Sequence, residues 1–173
     1  SFFMPSMVHY QRSLVINAPT EVVFDQVNTL KNWEKWSPWI KMEPTMKLTY
    51  NDKPSGAGAS YSWVGKKMGE GTMTIQYIKP NEQIITLLDM KGMKQSTGGF
   101  TFLPAKEGVE VVWYYDMNCG LNPIMKYMSK IMGGMMVKQF DDGLQSIKQI
   151  AESMPKPEPV APAPAAVDST IHQ

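Results

Sequence analysis

The chain of 173 residues sets 17 basic against 16 acidic side chains, with a formal net charge of +1 and a hydrophobic fraction of 43%. Near-neutral charge without a basic block argues against a nucleic-acid partner. The one cysteine, Cys119, excludes an intrachain disulfide and a thiolate metal cluster, and no run of eighteen or more apolar residues spans a bilayer.

The first residues are Ser1, Phe2, Phe3, Met4 and Pro5. Two readings stand for residues 1–7: the stump of a removed signal or membrane helix, or an ordinary frayed terminus. The first makes the full-length protein membrane-anchored; otherwise it is expected to be cytoplasmic. Residues 8–154 read as one domain, and residues 155–173, rich in Pro and Ala, as a disordered tail with too little apolar bulk to pack.

Residues 8–16 alternate as a strand, ended by Asn17-Ala18-Pro19. A short helix from Thr20 carries Val23, Phe24 and Val27 on one face. A second short helix or turn holds Trp33, Trp36 and Trp39, with Pro38 as a breaker. These indoles either plug the end of the core or line a cavity wall. Strands follow at 46–50, 59–65, 72–79, 83–90, 97–104 and 109–119, joined by turns rich in Gly, Asn and Pro. In the third of the seven strands Tyr61 and Trp63 share a side; in the fourth, Met73, Ile75 and Tyr77 are expected to share one. Phe100 and Phe102 share a face of the sixth, and Trp113 lies on the apolar face of the seventh, the most strongly alternating of all.

From Asn122 to about Met154 the pattern changes to one long helix, with Asn122 as N-cap and Pro123 as first helical residue. Ile124, Met128, Ile131, Met132, Met135, Phe140, Leu144 and Ile147 predict a single broad apolar stripe along about thirty residues, roughly 45 Å. Gly133 and Gly134 interrupt it and read either as close packing or as a hinge that lets the first half move. Sheet followed by long helix gives an α+β class: a curved antiparallel sheet gripping the C-terminal helix. The wedge between them is expected to be filled by Met and aromatic side chains, as plain core or around an apolar ligand. The candidate walls are Trp36, Tyr61, Trp63, Met73, Tyr77, Phe100, Trp113, Met128, Met132 and Met135, with Lys66 and Glu70 at the rim.

Catalytic signals are sparse. His9 and His172 lie far apart in the chain and read as no metal site. The glycines at 56, 58, 69 and 71 are hairpin glycines without a phosphate-loop Lys-Ser/Thr ending. Glu70, Tyr61 and Tyr77 are the acid/base candidates, and their spacing does not distinguish them from a wet rim. No catalytic residue, metal or cofactor is assigned.

The segment Arg12-Ser13-Leu14-Val15-Ile16-Asn17-Ala18-Pro19-Thr20-Glu21-Val22-Val23-Phe24, running on through Asn28 and Leu30 to Trp33, Trp36, Ser37, Pro38 and Trp39, resembles the opening of a START-like, Bet v 1-like domain. Tyr61-Ser62-Trp63, Gly65-Lys66, Gly69-Glu70-Gly71 and Met73-Thr74-Ile75 are similar to the middle of such proteins, and Phe140, Gly143-Leu144 and Ile147-Lys148 to the closing helix. More narrowly, the chain resembles the bacterial polyketide cyclase/dehydrase and lipid-transport group of this SRPBCC superfamily over about residues 8–152.

The resemblance implies a helix-grip fold, with a seven-stranded antiparallel sheet, two small helices after the first strand and a long C-terminal helix over a deep cavity. It implies relatives that bind lipids, sterols, polyketides or other apolar molecules, and an N-terminal membrane helix in many of them. The acid/base histidines of the catalytic branches have no evident counterpart here. Three functions follow as expectations: non-catalytic binding or transport of an apolar small molecule or lipid by a monomer or weak dimer; an interaction or stress-related domain with a vestigial cavity; and a cyclase- or dehydratase-type enzyme.

Overall fold

The structure, a computed structural model, describes residues 6–156. Seven strands form one antiparallel sheet: β1 (Met7–Ile16), β2 (Lys47–Tyr50), β3 (Ser60–Gly65), β4 (Gly69–Lys79), β5 (Gln83–Met90), β6 (Ser96–Pro104) and β7 (Val109–Asn118). Their order is β1-β7-β6-β5-β4-β3-β2, a meander closed by β1 crossing to the far edge. Three short helices, α1 (Thr20–Asn28), α2 (Trp33–Trp36) and α3 (Pro38–Met42), separate β1 from β2, and α4 (Pro123–Ser153) follows β7. This is the helix-grip α+β architecture expected from the sequence. The stump and tail fall largely outside the described residues; Met7, grouped with the stump, is the first residue of β1. Among the described residues no helix is long and apolar enough to cross a membrane.

Alternation makes the sheet one-sided. Val109, Val111, Trp113 and Tyr115 of β7 are buried, while their neighbours are half-exposed. The single short helix expected around the tryptophans is two. Ser37 is extended because it precedes Pro38, whose ring disfavours helical backbone before it, and Pro38 then opens α3.

Trp33 and Trp36 cap the helix before them. The Trp33 indole N–H donates to the Val27 carbonyl and that of Trp36 to the Gln26 carbonyl, each at 2.8 Å. These are among the last carbonyls of α1, which have no partner within the helix. Both rings then enter an aromatic cluster: Trp36 meets Trp113 edge-on at 5.5 Å, and Trp113 stacks between Phe100 at 4.9 Å and Phe140 at 4.3 Å.

The single apolar stripe expected along α4 divides into two. Asn122 Oδ1 accepts from the Ile124 amide at 2.9 Å, confirming the cap, and the helix runs unbroken to Ser153. Its second half buries Phe140, Leu144 and Ile147, and Arg12–Asp141 at 3.2 Å ties it to β1. Before Phe140 only Ser129 and Gly133 are buried, although the sequence there is richer in apolar residues. Three- and four-residue steps fit either side of a helix, and β1 comes too close to admit a bulky side chain.

Candidate functional site

The inner face of the sheet collects most of the expected wall. Trp36 and Phe100 are wholly buried, Met73 and Trp113 are 3% and 5% exposed, and Tyr61 and Trp63 are each 8% exposed. Trp33 bridges to Tyr61 at 6.1 Å and to Phe100 at 6.0 Å, so these residues form one continuous apolar interior.

Tyr77 does not join them. A bulge between Ile75 and Tyr77 inserts one residue, so Ile75 faces Thr86 on the inner side while Tyr77 pairs with outward Ile85. Ile78 takes the inward place and packs on the core, leaving Tyr77 half-exposed on the outer face. Nothing in the alternation up to Ile75 announces that change of phase.

Glu70 is also displaced from the expected rim. It pairs in register with exposed Val64 and forms an ion pair with Lys91 at 3.1 Å, so it sits on the outer face. The carboxylate that organises this end is Glu43, missed in the sequence because it follows a short helix with no motif around it. Only 5% exposed, it accepts from the backbone amides of Lys66 at 2.6 Å, Lys67 at 3.0 Å and Met68 at 2.9 Å. These bonds, that from Met68 foremost, hold its pKa below the usual carboxylate range. Gly65 admits this contact, since a Cβ there would collide with the carboxylate. Lys66 thus enters the site through its backbone, and its side chain is exposed.

Met128, Met132 and Met135 of α4, expected in the wall, do not join it, because Tyr10 of β1 lies too close at Gly133 to admit them. At 100° per residue, Met132 stands about 100° round the helix from buried Gly133, Met128 about 140° and Met135 about 160°. They are 45%, 44% and 65% exposed respectively. Gly133 itself is a contact residue: a Cβ would lie 2.5 Å from Cε1 of Tyr10, whose hydroxyl donates to the Ser129 carbonyl at 2.5 Å. Gly134 meets nothing within 4 Å.

The chemistry offered inside is mild. Burial raises the phenol pKa of Tyr61, and its hydroxyl has no hydrogen-bond partner among the described residues. Tyr115 donates to Ser96 Oγ at 2.7 Å, and burial raises its pKa too. Protonated phenols can orient a polar group by hydrogen bonding but accept no proton from it. Of the acid/base candidates, only Tyr61 is on the inner face; Glu70 and Tyr77 are outside. Among the described residues Glu43 is the one buried carboxylate, and no group of three His, Cys, Asp or Glu could hold a metal ion. Cys119 is buried, as its alternating position suggests.

The fold recurs in solved proteins of low sequence identity. A protein of unknown function from Staphylococcus aureus superposes with a TM-score of 0.66 at 14% identity, covering 84% of this chain and 94% of its own. A Bacillus halodurans protein solved in solution gives 0.63 at 14% identity, with 85% and 99% covered. An uncharacterised Rhizobium leguminosarum protein gives 0.61 at 14%, with 86% and 96% covered. No curated protein matches the chain. The polyketide cyclase / dehydrase and lipid transport family matches residues 7–152, nearly the whole described domain, and the chain belongs to that family.

Proposed function

We propose that the protein binds an apolar small molecule or lipid, without catalysis, on the inner face of the sheet beneath the first half of α4. One observation carries this reading. From Pro123 to Phe140 the helix buries only a serine and a glycine before the phenylalanine, while the inner face of the sheet carries Tyr61, Trp63 and Met73. A helix closing a plain core would use its large side chains there, as α4 does from Phe140 onward. Met136, partly buried against the core on this stretch, is long and unbranched and suits a ligand of irregular shape. The Tyr61 hydroxyl, which makes no hydrogen bond to the described residues and is not among their fully buried polar atoms, is the group suited to meet a ligand's polar end. Family membership supports the class of ligand, and the use of Glu43 as a structural acceptor supports a non-catalytic role.

The test is titration with a fluorescent fatty acid, together with native mass spectrometry of the protein purified without detergent. Saturable binding of about one probe per chain is expected, competed by whatever co-purifies, and Tyr61→Phe should weaken ligands with a polar head. No probe response and no co-purifying molecule would overturn the reading. That result would favour an interaction domain with a vestigial cavity, a second reading supported by the near-complete shielding of Trp36, Phe100 and Met73.

A further inference from the structure

The apolar side chains that α4 withholds from the sheet form their own surface. Leu121 is 83% exposed, Ile124 71%, Tyr127 67%, Ile131 54% and Met135 65%. Leu121, Ile124, Met128, Ile131 and Met135 follow one another at steps of three and four, about 140–180° from Gly133 where they are helical, and so make a stripe facing away from the sheet. Such a contiguous exposed stripe marks a surface that meets an apolar phase or partner.

Charge decides between the occupants. From Met117 to Phe140 the chain has no Asp or Glu, but it has Lys126, Lys130 and Lys138. The end of the molecule where α4 begins adds more. There β1 starts opposite the end of β7, Met7 facing Asn118, and the β3–β4 and β5–β6 turns lie at the same end. Those turns present Lys66, Lys67, Lys91 and Lys94, all exposed. The nearby carboxylates are fewer: Glu70 cancels Lys91, Asp116 pairs with His9, Glu43 is buried on the turn amides and Asp89 is exposed on the outer face, which leaves Lys66, Lys67 and Lys94 in excess with the helix lysines. A second copy docked through this stripe would set lysines against lysines with no carboxylate on the first half of the helix to answer them. A surface that is apolar beneath and anionic above answers both features, with the lysine ammonium groups reaching the head groups.

We infer that the first half of α4, with the neighbouring lysine-bearing turns, is a docking surface for anionic lipid bilayers. The helix lies along the membrane with Ile124 and Ile131 inserted below the head groups, and Tyr127 stands at the interface. The inference does not depend on ligand binding inside the domain. Trp33 and Trp36 take no part in it, since both are buried.

Flotation of the full chain with vesicles tests it, comparing phosphatidylcholine alone with phosphatidylcholine containing about one third phosphatidylglycerol. Binding to the anionic vesicles, little to the neutral ones, and release at about 0.5 M salt are expected. The double variant Ile124→Glu/Ile131→Glu should bind about tenfold less or weaker still, and Lys94→Glu/Lys130→Glu several-fold less, both with unchanged circular dichroism and melting. Fatty-acid binding without vesicles should persist in both, which separates this test from that of the interior site. Equal flotation of wild type and the isoleucine variant, absence of vesicle binding, or a concentration-dependent dimer abolished by Ile131→Glu would each overturn the assignment.

Discussion

Gly133 rests on the ring of Tyr10 so closely that a Cβ would come within 2.5 Å of Cε1, while Gly134, one residue on, faces open space. Adjacent glycines in one helix therefore carry opposite expectations. Gly133→Ala must displace a ring held by its own hydrogen bond to Ser129, and is expected to destabilise the fold by about 1–2 kcal/mol despite its better helix propensity. Gly134→Ala is expected to stabilise by about 0.5–1 kcal/mol. Urea denaturation of the two variants checks both signs, and a gain in each would remove the packing role of Gly133.

Phe140 stacks on Trp113 at 4.3 Å and is 2% exposed. Phe140→Ala opens a cavity where α4 is anchored and should cost about 3–5 kcal/mol. The same truncation at Met135 on the outer side should cost under about 0.5 kcal/mol. Comparable losses at the two sites would contradict the division of α4 into an anchored and an outward half.

His9 Nδ1 meets Asp116 Oδ1 at 2.6 Å and Nε2 meets Gln11 Oε1 at 2.9 Å. Two oxygen acceptors favour the imidazolium, and its pKa is raised above 6.5, first by Gln11 and then by Asp116. A raised folded-state pKa gives stability that is fully present below the unfolded value and lost as pH rises through the folded one. Stability relative to His9→Gln should therefore decline as pH rises from about 6 upward, by under about 1 kcal/mol because the pair is solvent-exposed. Melting curves across that range check it; a difference that grows with pH would reverse the assignment.

Glu43 behaves oppositely. Its depressed pKa gives stability present above the ordinary value of 4.5 and lost as pH falls through the folded one. Glu43→Gln should abolish this acid limb and speed hydrogen exchange at the amides of Lys67 and Met68, which share one carboxylate oxygen. Unchanged exchange would show that the turn holds without the carboxylate.

Legibility varied with the range of the interaction involved. The Asn122 cap and the alternation of β7 were plain in the sequence because each is written within a few residues. The β4 bulge was not, because one extra residue after Ile75 reverses the side of Tyr77 without leaving a local mark. The direction of the stripe on α4 was hidden for a different reason: it depends on how near Tyr10 stands to the helix, and Tyr10 is far away in the chain. Glu43 was passed over because its partners are backbone amides, which every residue has. The family resemblance rested on the structural residues, and it was these that the fold confirmed.

The indole cluster has an optical consequence. Trp33 and Trp36 lie 4.4 Å apart, and Trp113 sits within 5.4–6.5 Å of Trp33, Trp36 and Trp39. Chromophores this close and this rigidly tilted share their excitation, so their near-ultraviolet dichroism is a joint property of the cluster. A shift of any one ring changes the signal of all four. The domain thus carries a built-in strain gauge at its centre, and a guest that pries sheet from helix would announce itself there without any added dye.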